Sequence, residues 1–161
     1  MRKSAFAPVV DDRSRVLILG SLPGEASLAA GQYYAHQRNG FWRLIGAVIG
    51  RDLALMDYPA RLEALGDAGV GLWDVIASAE RSGSLDAAIR SPEAADLRGL
   101  VTSLPDLRAV AFNGGLAARL GGRILAEAGP ALITLPSSSP AHARPFEDKL
   151  AAWRDLAIWL R

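Results

Sequence analysis

Cysteine is absent from all 161 residues, which removes disulfides, thiol catalysis and cysteine-ligated zinc or iron–sulfur centres in one step. Histidine is nearly as scarce. His36 and His142 are the only two, and without an HExxH-like spacing they predict no metal site; no other cofactor is expected. Lysine occurs only at Lys3 and Lys149, so arginine supplies nearly all of the 18 basic side chains. Set against 17 acidic ones they leave a net charge of +1, and bulk charge therefore does not advertise a nucleic-acid partner. No stretch approaches the roughly 18 to 20 unbroken apolar residues of a membrane span, and the N-terminal MRKSAFAPVVDDRSR carries no export-type apolar run. A cytoplasmic location with no membrane contact is the expectation.

Apolar residues, by contrast, make up half of the chain, enough for one sizeable core and short for two. A monomeric single domain over residues 1–161 is expected. RVLILG, residues 15–20, is a β-branched and aliphatic run ending at glycine, the pattern of a strand buried on both faces. After the turn residues of SLPGEAS, Phe41–Ile49 has helical apolar spacing closed by Gly50, and 59–65 reads as a second helix leading to a short strand at 70–73. Residues 77–85, rich in serine, glycine and charge, are expected to form a surface loop, with helix resuming over 94–104. A strand at 108–112 runs into Asn113, Gly114 and Gly115 and a helix to about residue 128. The strand 131–135 stops at Pro136, and a last helix covers 146–160.

Strands alternating with helices predict an α/β domain, a three-layer αβα sandwich around a mostly parallel sheet of about four strands. Ligands in such sheets gather beyond the carboxyl ends of the strands. Three polar segments leave predicted strand ends: GSLPG with its continuation to Phe41, then FNGG, then LPSSSPAHAR. Their convergence is the main structural expectation.

Each segment has an ordinary reading beside a functional one. Serines 137, 138 and 139 can form a capped turn, or grip phosphates through hydroxyls and bare amides. A nucleophilic serine working with His142 is a further alternative, although no GxSxG elbow accompanies it. Asn113 can be a turn residue, or can present a donor and an acceptor together to a base edge. GSLPG is a simple turn or a place where a ligand approaches the backbone; it lacks both the GxxxxGK[ST] and GxGxxG patterns. His36 reads as a surface or structurally bonded histidine. The stretch YYAHQRNGFW, residues 33–42, is the most informative. Its rings suit a core, but Asn39 among them is costly unless its amide is satisfied.

Taken in order, GSLPG, QYYAHQRNGFW, LWDV, FNGG and LPSSSPA resemble the uracil-DNA glycosylase superfamily, most closely its hypoxanthine-DNA glycosylase (deoxyinosine glycosylase) branch. The mismatch-specific uracil and thymine branch is similar in the NxFW, FNG and PSSS-like segments. The resemblance spans about residues 16–144. It implies a uracil-DNA glycosylase-like fold and a DNA substrate containing a deaminated base. Many members place a water-directing acidic or carboxamide residue in the first motif, where this chain has Leu22. The functional asparagine of the hypoxanthine branch matches Asn39, and Phe41 matches the ring that stacks on a flipped base. Residues 136–140 match the second motif, whose following residues enter the duplex and contact phosphates. Leu135 stands where the uracil-specific enzymes have histidine, and Gln37 where many relatives have proline.

What this implies chemically is specific. A glycosylase must rotate its nucleotide out of the stack and replace the lost stacking with its own rings, here Phe41 with Tyr33 or Tyr34. Asn39 is the expected catalytic residue, holding the attacking water through its carbonyl oxygen. Gly20, Ser21, Leu22, Phe41 and Asn113 are the expected base-binding residues. Ser137, Ser138, Ser139, His142 and Arg144 are the expected DNA contacts. Lysine scarcity adds a point: strand-nicking glycosylases commonly form a Schiff base through an amine, and neither lysine lies in a candidate loop. The expected reaction is monofunctional hydrolysis of the N-glycosidic bond of a deaminated base, hypoxanthine first, with uracil or xanthine as alternatives, leaving an abasic site. The alternatives are a non-catalytic binder of damaged DNA, motivated by Leu22 and Gln37, and a small serine hydrolase.

Overall fold

A computed structural model describes residues 2–161. In chain order the elements are β1 (Arg2–Ser4), β2 (Val16–Gly20), α1 (Glu25–Ala30), α2 (Phe41–Ile49), α3 (Tyr58–Ala68), β3 (Val70–Asp74), β4 (Ile76–Glu80) and β5 (Arg90–Ala94). There follow α4 (Leu97–Ser103), β6 (Ala109–Asn113), α5 (Gly115–Leu125), β7 (Ala131–Leu135) and α6 (Phe146–Arg154), with a 3₁₀ extension over Asp155–Leu160.

The main sheet has four parallel strands in the order β3-β2-β6-β7. Its two inner strands are buried along their whole length, so alternate residues feed two cores. Val16, Ile18, Ala109 and Ala111 pack with Phe41, Leu44 and Ile45 of α2, Leu65 of α3 and Trp153 of α6. Leu17, Leu19, Val110 and Phe112 pack on the other face with Leu97 and Val101 of α4 and Ala117 and Leu125 of α5. This is the three-layer αβα sandwich expected. Helix α5 can approach the sheet because residue 121 is glycine: a Cβ there would collide with the Phe112 ring.

The helices begin and end where local chemistry dictates. Asp57 caps α3 by accepting from the Ala60 N–H at 2.9 Å, with Pro59 in the first turn, and Gly69 closes it in the left-handed region at φ +84°. Helix α2 ends at Gly50 in the same way, at φ +72°.

Three expectations need correction. The segment 77–85 is only partly a loop, because β4 pairs antiparallel with β1 and β5 in a second, three-stranded sheet. The helix expected over 94–104 starts at Leu97, since β5 continues through Ala94 and Asp96 caps α4 by accepting from the Gly99 N–H at 3.1 Å. The turn SLPGEAS contains the first residues of the short helix α1. None of these elements carries a strong apolar period. Strand β5, RSPEA, is exposed throughout and includes a proline tolerated only at a sheet edge.

The consequence for function lies in where the four parallel strands stop. Gly20, Asp74, Asn113 and Leu135 are their carboxyl-terminal residues. Gly20 stands beside Asp74 in register, and Asn113 beside Leu135. The chain leaves β2 toward β3 on one side and returns to β6 on the other, so the crevice expected at such a reversal opens above Gly20.

Candidate active site

A cavity of about 440 Å³ occupies that crevice. Its wall draws residues 20–24 from the end of β2 and Tyr33, Tyr34, His36 and Asn39 from the loop before α2. Asp74 comes from the end of β3, residues 84–86 from the loop after β4, residues 113–115 from the β6–α5 junction, and residues 137–142 from the turn after β7. The three polar loops singled out in the sequence therefore meet. Gly20, Ser21, Leu22, Asn39, Asn113, Ser137, Ser138, Ser139 and His142 all line one cavity; Phe41 and Arg144 do not.

Asn39 is half-buried, and its carbonyl oxygen accepts from the Phe41 N–H at 2.9 Å, satisfying one of the open amides at the start of α2. A carboxamide oxygen has two lone pairs, so this bond fixes the side chain without exhausting it. The next residue ties the loops together: the Gly40 N–H donates to the Ser138 carbonyl at 3.0 Å.

The ring expected to stack on a base, Phe41, is instead fully buried at 0% exposure. Tyr34 covers it, stacked at 3.9 Å between centroids and 13° between planes, and it is Tyr34 that reaches the cavity. Tyr34 adopts φ +54°, an uncommon conformation for a residue with a side chain. The Trp42 indole N–H holds the kink by donating to the Tyr34 carbonyl at 3.2 Å. Burial first, then the nearby Asp74 charge, raises the Tyr34 phenol well above its ordinary range, so the hydroxyl is neutral.

Asn113 and Ser138 also differ from expectation. The Asn113 oxygen accepts from the Ser138 N–H at 2.9 Å, and its nitrogen donates to the Ser138 hydroxyl at 2.9 Å and to the Tyr34 hydroxyl at 3.3 Å. Both amide protons are committed, so Asn113 clasps β6 to the serine turn rather than presenting a free base-reading edge. Ser138, at 2% exposure, is part of that clasp. The Ser137 hydroxyl accepts from the Ser139 N–H at 3.1 Å, and the Ser139 hydroxyl from the Ala141 N–H at 3.2 Å. No hydrogen bond among the described residues joins any of these serines to the His142 ring, and the serine hydrolase arrangement is not formed. His142 and Arg144 are exposed, and of the two only His142 lines the cavity.

Lys149, outside every candidate loop in the sequence, contacts one of them in the fold. It is buried on α6, and its ammonium donates to the Ser139 carbonyl at 3.1 Å. Burial, with the Arg144 charge, lowers its pKa. It anchors the turn from beneath and does not line the cavity. Leu22 forms an apolar part of the wall, packed with Ile76 and Ala79.

One group received no role from the sequence. Asp74 ends the otherwise apolar strand of LWDV, lines the cavity, and is 4% exposed. Burial and the neighbouring Asp86 charge push its carboxyl up to about 7, with the Arg81 guanidinium pulling the other way. Asp86 itself accepts from the Ser21 hydroxyl at 2.6 Å. Arg81 is buried too, donating to the Pro23 carbonyl while its Nε and Nη1 lack partners among the described residues. An acidic residue at the end of a buried strand was the available signal, because such a group is costly unless it is used.

Residues 7–157 match the family model described as the Uracil DNA glycosylase superfamily. The chain belongs to the uracil DNA glycosylase superfamily. Among relatives of this glycosylase, a protein of Methanosarcina barkeri named Hypoxanthine DNA glycosylase is 40% identical over 155 residues, covering 96% of this chain and 98% of that protein. One of the same name from Methanosarcina acetivorans is 39% identical over 153 residues, covering 95% of this chain and 96% of that protein. The fold matches the solution NMR structure of a candidate uracil DNA glycosylase from Methanosarcina acetivorans, with a TM-score of 0.90, 38% identity and 99% coverage of both chains.

Proposed function

We propose that this DNA glycosylase flips hypoxanthine out of DNA and hydrolyses its N-glycosidic bond, leaving an abasic site. The observation that carries the reading is the seating of Asn39 in the strand-end cavity, in a chain about 40% identical over nearly its whole length to proteins named for hypoxanthine.

The mechanism follows from what each group can do. The extruded base enters the cavity and lies against Tyr34, itself backed by Phe41, so that two rings replace the stacking lost from the duplex. Asn39, held by its bond to the Phe41 N–H, orients a water through the remaining lone pair. A neutral amide is a weak base, and so it positions the water rather than ionising it. As the bond between base and sugar breaks, positive charge develops on the sugar and negative charge on the base. Backbone amides of residues 20–22 at the cavity wall are suited to the base side of that separation. His142 and Arg144, exposed beyond the serine turn, are placed for the phosphates, and binding weakens as salt rises.

Water is the nucleophile in this reading, because neither lysine lines the cavity: Lys3 lies on β1, and Lys149 is engaged by Ser139. The test is a panel of oligonucleotides carrying one hypoxanthine, uracil or xanthine each, treated with protein and then alkali. Breaks are expected at hypoxanthine, and none before alkali. Borohydride added during the reaction should trap no covalent protein–DNA adduct. Tight damage-selective binding with no alkali-labile product would overturn the reading in favour of a non-catalytic binder.

A further inference from the structure

We propose that Asp74 is the acid of this site, donating a proton to a ring nitrogen of the departing purine as the glycosidic bond breaks. The inference rests on the glycosylase reading and deepens it, because it assigns the half of the reaction that Asn39 cannot perform.

Three observations place the carboxyl there. Asp74 ends β3 in register with Gly20, and a Cβ on Gly20 would lie 2.7 Å from its Oδ1 and 3.2 Å from the Tyr34 hydroxyl. Only a glycine at this position lets the carboxyl and the phenol share the ground under the cavity. Secondly, Asp74 Oδ2 is buried with no hydrogen-bond partner among the described residues, in a side chain that lines the cavity. Of the polar groups around it, Asn113 and Ser138 hold each other and Asp86 holds Ser21, while Arg81 Nε and Nη1 also lack hydrogen-bond partners among the described residues. A buried polar atom without a partner signals a ligand or a catalytic use. Thirdly, the charged and titratable groups around it leave a proton in place. Burial and Asp86 favour the protonated carboxyl and Arg81 opposes it, to a value of about 7. The phenols of Tyr33 and Tyr34 face it as neutral groups, both held well above their ordinary range, chiefly by burial. An acid poised near the working pH is the efficient kind.

The chemistry balances without any co-reactant. The electron pair of the C1′–N9 bond passes to the base while the Asp74 proton moves to N7 or N3, so hypoxanthine leaves as a neutral molecule. The water at Asn39 bonds to C1′ and gives up one proton to solvent, from which Asp74 is reprotonated. The sum is one water added across one bond.

Single-turnover release of hypoxanthine is the experiment, measured across pH 5 to 9 for wild type, Asp74→Asn and Asp74→Glu. Wild type should lose rate above pH 7, approaching about tenfold per pH unit. Asp74→Asn should be slower by about 100-fold or more at pH 6, the usual range for removing a general acid, with no such limb, and Asp74→Glu should restore part of both. A wild-type profile that stays level to pH 9 overturns the proposal whether or not the variants fold. So does an Asp74→Asn enzyme within threefold of wild type. Wild type that releases no hypoxanthine at any pH overturns the glycosylase reading instead, which keeps the two failures distinct.

Discussion

Asn39→Ala should lower the rate of hypoxanthine release by on the order of 100-fold to 1000-fold, the loss typical of one well-aimed polar group in a site that excludes water. The variant also loses the bond to the Phe41 N–H at the head of α2, and losing such a cap costs about 1 kcal/mol of stability. The two effects separate by size. A shift of that magnitude leaves the protein folded at room temperature, so a rate collapse measured alongside a small fall in the urea midpoint belongs to the chemistry. A midpoint fall of several kcal/mol equivalent, with activity lost only in proportion to unfolded protein, would mean that Asn39 is a helix cap and nothing more.

The second large effect concerns stability. Asp74 titrates near 3.8 when unfolded and at about 7 when folded, so between those values the native state binds the extra proton. Its contribution is therefore fully present below about pH 4 and is lost as pH rises through 7. The difference of about three pH units corresponds to a penalty on the order of 4 kcal/mol for carrying the ionised carboxyl above pH 7. Asp74→Asn removes the titration. Compared with wild type, it should gain stability from pH 5 to about pH 7 in urea melts and then level off, while remaining far slower than wild type at pH 6. This is the familiar trade between a strained site and a stable one. A wild-type minus variant difference that does not change with pH would place Asp74 in contact with solvent and contradict the account of its environment.

Much of this site was legible before any coordinates, for a local reason. Three of the four parallel strands are short, mainly apolar runs that stop at glycine, asparagine or proline, and a buried parallel sheet writes that signal directly. The polar loops after them had only one place to go. Asn39 stood out because a carboxamide between aromatic residues must be satisfied, and the Phe41 N–H and the cavity together satisfy it. The exchange of Phe41 for Tyr34 could not be seen. Which of two neighbouring rings faces the cavity depends on the left-handed kink at Tyr34, and that kink is fixed by Trp42 and Phe41 from the next helix. The Asn113–Ser138 clasp and the Lys149 anchor join residues 25 and 10 positions apart through geometry that spacing does not encode. The second sheet pairs β1 with β4 across most of the first half of the chain, with Arg2 opposite Glu80, and no apolar pattern announces it.

The central claim is that residues from separate loops form one slot for the extruded base, and amide chemical-shift mapping tests it most directly. The protein is titrated with hypoxanthine in the presence of a duplex containing an abasic site. Shifts are predicted at Gly20, Ser21, Tyr34, Asn39, Asp74 and Ser139, all on the wall of the strand-end cavity. Shifts confined to the more open groove beside Trp42, Gly46 and Arg51, with the cavity residues unmoved, would contradict it.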